Sequence, residues 1–153
     1  MKTNGPEIKL ALLSKSQQLL KEQIIDIDRQ LSELQQSSEA EEKSSAGDKY
    51  ETHQEMLNQN RSMLQKQLST TKVMLNQLNA VPVKALHSVE EGALIKVAMG
   101  WIWVSIPLGK VTLDGTDYQL VSKESPLLTA LWGLKRGEKG EFRNNKVEVL
   151  EVI

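Results

Sequence analysis

There is no cysteine among the 153 residues of this chain, and that absence removes disulfides, thiol nucleophiles and thiolate metal sites together. It suits a reducing compartment. Proline is scarce in a telling way, since none occurs between Pro6 and Pro82 and a helix can run through that interval almost unbroken. Aromatic residues make up only 4%, and Trp101, Trp103, Trp132 and Phe142 all lie after residue 100. One large core is therefore not expected, and the two halves of the chain have different physics. A charge excess is missing too. The formal net charge of -1 argues against an electrostatic binder of DNA or anionic lipid, so that any nucleic-acid contact has to be local. Long apolar runs are also lacking: Leu10 to Leu13 is followed at once by Ser14, Lys15 and Ser16, which is neither a signal-peptide core nor a membrane span. The expectation is a soluble, cytoplasmic protein without a membrane partner.

What is present begins with two heptad seams. Leu13, Leu20, Ile24, Ile27, Leu31 and Leu34 are spaced by seven, then alternately four and three, and Leu57, Leu64, Leu68, Thr71, Leu75 and Leu78 repeat those steps with one polar lapse at Thr71. Ser44-Ser45-Ala46-Gly47 separates them. Two such seams on one chain pair back to back as an antiparallel helical hairpin, which needs no second chain and implies a monomer. Each helix should have roughly 30 to 35 residues, about 45 to 50 Å at 1.5 Å per residue. The seam fades toward the turn, where Ser38, Glu41 and Lys43 occupy the first helix and no strong apolar residue stands between Tyr50 and Met56.

Val81-Pro82-Val83 ends the helical period and opens a connector to Gly92. The period then becomes two. Ile95, Val97 and Met99 alternate with Leu94, Lys96 and Ala98, and Ile102, Val104 and Ile106 alternate with Trp101, Trp103 and Ser105. Asp114-Gly115 and Asn144-Asn145 are hairpin signals, and Ser125-Pro126 supplies an N-cap and first-turn proline for a short helix through Trp132 that Gly133 closes. The expected architecture is α+β: a hairpin over residues 1–79 with its tip near 44–51, a connector over 80–92, and a small antiparallel sheet domain with one short helix over 93–153.

The chemistry-bearing residues concentrate at the tip. Glu39, Glu41, Glu42, Asp48, Glu51 and Glu55 stand there against only Lys43 and Lys49. Asp48 and Glu51 are three apart at the start of the second helix, which places their Cβ atoms roughly 5 to 6 Å apart on one side, within reach of a shared divalent cation. Two carboxylates do not complete an octahedral Mg²⁺ site, so a partner would have to supply the rest. The same Asp-x-x-Glu spacing is also a capping arrangement at a helix start, and spacing does not choose between the two. His53 and His87 are isolated from any ligand or catalytic set, and the basic turn of Lys135, Arg136 and Lys139 reads as solvated. Trp101 and Trp103 share a strand face and either complete a core, pack on the hairpin or mark a docking surface.

Ser44-Ser45-Ala46-Gly47-Asp48-Lys49-Tyr50-Glu51, at the turn of a long helical hairpin, resembles the Gly-Asp-x-x-Glu tip of the bacterial Gre transcript cleavage factors. Ser125-Pro126-Leu127, followed by Gly133 and Gly137, resembles the Ser-Pro-Ile segment of that family's FKBP-like C-terminal domain. The resemblance covers nearly the whole chain in order and spacing. It implies a protein that binds RNA polymerase at the rim of its secondary channel through the C-terminal domain, with Ser125, Pro126 and Leu127 as partner-binding residues. The coiled coil would then reach the active centre, where Asp48 and Glu51 would help hold a Mg²⁺ shared with the polymerase and meet the nascent RNA only indirectly. The chain would be no enzyme itself; it would stimulate the polymerase's own cleavage of backtracked RNA. After the paired acids this chain reads Thr52-His53-Gln54-Glu55, where the family commonly has Asn-Ala-Glu-Tyr. Members of this fold also occupy the channel without promoting cleavage. A less favoured alternative is a peptidyl-prolyl isomerase, which the FKBP-like resemblance suggests but which needs an aromatic-lined pocket that few aromatics are here to build. A self-assembling coiled-coil module is the third.

Overall fold

A computed structural model describes residues 5–44 and 48–153, with side chains over 5–37 and 52–153. Two long helices come first: α1 spans Gly5–Ser44 and α2 spans Asp48–Asn79. Pro6 sits in the first turn of α1, where the missing N–H is no loss. At 40 residues α1 is longer than the expected span, because nothing in the polar stretch after Leu34 breaks a helix. Contacts divide the chain into two compact units, Leu19–Leu75 and a second made of Met1–Gln18 with Asn76–Ile153.

In the first unit the hairpin seam is as the heptads place it. Leu20, Ile27, Leu57, Leu64 and Thr71 are buried, while Ile24, Leu31, Leu34, Leu68 and Leu75 are half-buried along the same stripe. Thr71 is a lapse in polarity only, since its hydroxyl donates to the Gln67 carbonyl at 2.8 Å and reaches the interior already satisfied. Ile25, Met56, Met63 and Val73 stay on the outer faces.

The second unit holds the sheet. Its strands are β1 (Leu94–Val97), β2 (Gly100–Ser105), β3 (Gly109–Leu113), β4 (Thr116–Ser122), β5 (Lys139–Phe142), β6 (Asn145–Glu148) and β7 (Glu151–Val152), with α3 (Pro126–Leu131) after β4. Five strands lie in the order β3-β4-β2-β1-β7, and β5 and β6 form a separate ribbon. The expected all-antiparallel pattern needs one correction. Strand β3 runs back two places away from β2, and β4 folds into the gap, so β2 and β4 are parallel. The hairpin signal was local and sound: Asp114 (φ 50°) and Gly115 (φ 81°) make a two-residue turn with Leu113 opposite Thr116. It carried no information about which side of β2 the hairpin would occupy. The second hairpin turns one residue earlier than expected, on Arg143 and Asn144, with Asn145 already paired to Phe142.

Ile95, Val97, Ile102 and Val104 face α3, whose Leu128 and Leu131 complete that core. The opposite face is buried as well, through Leu94, Trp103, Leu120 and Val111. Gly5 packs so closely on the Ile153 side chain that a Cβ there would collide with it. Met99, expected in line with Ile95 and Val97, instead sits 71% exposed in the turn between β1 and β2. In this unit the buried stripe of α1 is Lys9, Leu12 and Ser16, and Leu13 is only half-buried. The three-and-four spacing persists, rotated by one residue from the heptad expectation.

Candidate functional site

Strand and helix starts position the candidate residues. Asp48 is the first residue of α2, and Glu51 lies three residues on in the same helix. The turn at 45–47 and the side chains of Asp48 and Glu51 lie outside the described residues, so their capping and metal-holding roles both rest on sequence. Among the described residues, no group of three or more His, Asp or Glu side chains could hold a metal ion.

Ser125, Pro126 and Leu127 open α3. Ser125 is the N-cap, in extended backbone at φ -64° and ψ 146°, and its hydroxyl accepts from the Leu128 N–H at 3.3 Å. Its carbonyl takes the Thr129 N–H at 2.9 Å. Leu127 is half-buried against the α3 core, so of the three only Pro126 stands fully at the surface. Ser125 therefore caps the helix and Leu127 anchors its first turn, with Pro126 exposed between them. The Ser125 N–H to Ser122 carbonyl bond at 3.0 Å and the Lys123–Glu91 ion pair at 2.9 Å hold the loop leading into it.

The tryptophan pair does not form an exposed docking surface. Trp103 is fully buried and its indole N–H donates to the Gly92 carbonyl at 3.3 Å. Trp101 is half-buried beside Tyr118, with ring centroids 6.4 Å apart, and the Lys96 ammonium stands 5.5 Å from its ring. Alternation implied one shared environment for the two, but the sheet is covered on both faces at Trp103 and only partly at Trp101. The exposed tryptophan is Trp132, 45% exposed at the C-cap of α3. Its place next to the helix-closing Gly133 was the available signal.

Lys9 carries no signal in the heptad pattern. It is 0% exposed, its ammonium donates to the Lys84 carbonyl at 2.7 Å, and loss of water pushes its pKa down to about 8 against the opposing pull of the Glu90 charge. Seven residues further along α1, Ser16 is buried with a hydroxyl that has no hydrogen-bond partner among the described residues.

A cleft of about 550 Å³ lies between the β1–β2 turn and the β5–β6 ribbon. Phe142 is the one aromatic lining it, and the Arg143 guanidinium lies 4.9 Å from that ring.

No family model matches the chain, and none of the curated proteins does. Among solved structures, that of the transcription factor Gfh1 is similar at 16% identity and a TM-score of 0.39, over 90% of this chain and 93% of that one. At that identity and TM-score the likeness says nothing about shared activity.

Proposed function

We propose that this chain is a Gre-type transcription factor that binds RNA polymerase and carries Asp48 and Glu51 into its secondary channel. One observation supports the reading above the others. Asp48 and Glu51 stand at the start of α2, so the two acids open the second helix of the hairpin, three residues apart. That is the position the resemblance assigns them. At 1.5 Å per residue, the 32 residues of α2 span about 48 Å, a length suited to a deep channel.

On this reading the chain's own work is positional. The helices carry the carboxylates, the corner at Pro126 contributes to polymerase docking, and the partner supplies the catalytic centre. A Mg²⁺ bound jointly by Asp48, Glu51 and the polymerase would activate water for hydrolysis of backtracked RNA. The protein lowers the barrier of a reaction that the polymerase performs.

The test is a stalled, backtracked elongation complex to which the purified chain is added. RNA shortening that depends on the chain, and falls at least tenfold with Asp48→Ala or Glu51→Ala, is the expected result. Shortening that is unchanged in both variants excludes the metal role. A second reading, channel occupancy without cleavage, is favoured by Lys49 and Tyr50 between the acids and by the departure at Thr52-His53. In that case the chain is retained by core polymerase and slows elongation, while backtracked RNA keeps its length. Failure to be retained by core polymerase sinks both readings.

A further inference from the structure

The cleft beside the β5–β6 ribbon has a lining that the polymerase reading does not use. Asn145, Lys146, Val147 and Glu148, all of β6, line it consecutively, whereas β5 contributes only its two ends, Lys139 and Phe142. Side chains of successive strand residues point to opposite faces. A groove met by four in a row therefore runs along the edge of β6 and not over one face. The ribbon has only two strands, so β6 pairs with β5 on one side and with no strand of the described residues on the other. An unpaired edge is a template for a further strand.

Charge and apolar surface say what kind of strand. Met99 and Leu150, both exposed, lie with Phe142 and Val147 as an apolar floor. Lys139, Arg143 and Lys146 also line the groove, and none has a carboxylate within ion-pair distance among the described residues. Glu148 is the one acid lining it, and Glu141 stands opposite Lys146 in the ladder. In a chain of net charge -1 this is a local excess of positive charge. Arg143 holds its place in left-handed backbone, at φ 51°, with its guanidinium against the Phe142 ring. That contact covers one face of the one aromatic ring that lines the groove, so nucleobase stacking has little platform there.

We infer that the β6 edge accepts an extended acidic segment of another protein as an added strand, with its aliphatic side chains on the Met99–Leu150 floor and its carboxylates toward Lys139, Arg143 and Lys146. The inference is independent of the polymerase reading, and the groove is testable with the intact chain alone.

The probe is a fluorescein-labelled peptide of alternating Asp and Leu, followed by anisotropy. Saturable binding is expected, weakened about tenfold or more by Arg143→Glu with Lys146→Glu and by Leu150→Asp, in variants whose thermal unfolding matches the parent. N-methylation tests the strand itself without altering the protein. Blocking one alternate set of peptide amides should weaken binding by a similar factor while blocking the other set does not. Equal loss from both sets, or none from either, overturns strand addition. Binding that survives exchange of Asp for Asn overturns the charge argument. No binding up to about 1 mM peptide, or tighter binding of a single-stranded RNA of similar length that the same variants abolish, overturns the proposal as a whole.

Discussion

Replacing Lys9 with methionine probes the least expected feature of the structure. Below pH 8 the buried ammonium is charged in both the native and the unfolded chain, and the native state bears the loss of hydration. Between pH 8 and 10.5 the unfolded chain still holds the proton that the native chain has released. The native state then binds fewer protons, so stability rises with pH through that window. Complete relief would be worth about 3 kcal/mol at 1.36 kcal/mol per pH unit, and screening close to the surface reduces this to about 1 to 2 kcal/mol. Lys9→Met keeps the stem volume, removes the titration and leaves the Lys84 carbonyl without its donor, a loss of about 1 kcal/mol. Near neutral pH the variant should therefore lie within about 1 kcal/mol of the parent or above it. Tyr118, its pKa raised by burial and by the Asp114 charge, and Lys123, raised by its hydrogen bond and attraction to Glu91, act in the opposite sense at higher pH. The useful quantity is thus the difference between parent and variant in urea unfolding at pH 7, 8, 9 and 9.5. The parent should gain on the variant steadily above pH 8, and parallel curves would refute the idea that Lys9 is held in a dry site.

Ser16→Ala removes a buried hydroxyl without a partner among the described residues and should stabilise the protein by about 1 kcal/mol in urea unfolding. Gly92 has φ +95°, and a Cβ there would lie 2.5 Å from the Pro82 carbonyl oxygen; Gly92→Ala should destabilise by more than about 2 kcal/mol and lower the thermal midpoint. In the hairpin unit, Leu20→Ala should cost about 2 to 4 kcal/mol, whereas Ile25→Ala, on the outer face, should cost less than about 0.5 kcal/mol; equal losses would mean that the helices pair on a different stripe.

The two helices and their seam were legible because heptad spacing is a local pattern: Leu20, Ile27, Leu57 and Leu64 are buried as their periodicity requires. The Asp114-Gly115 turn and the Ser125-Pro126 helix start were legible for the same reason, since each depends on backbone preferences of two or three adjacent residues. The candidate tip is a matter of sequence throughout: Asp48 and Glu51 rest on spacing and on the resemblance, and the structure contributes the helix start at Asp48. Tertiary packing decided the remainder. It put β4 between β2 and β3, buried Trp103 while leaving Trp101 half-covered, turned Lys9 and Ser16 inward, and lined a groove with residues from positions 98 to 150. Each of these depends on which surface arrives opposite a residue from far along the chain. Periodicity records which side of its own helix or strand a side chain is on, and has no access to what covers that side.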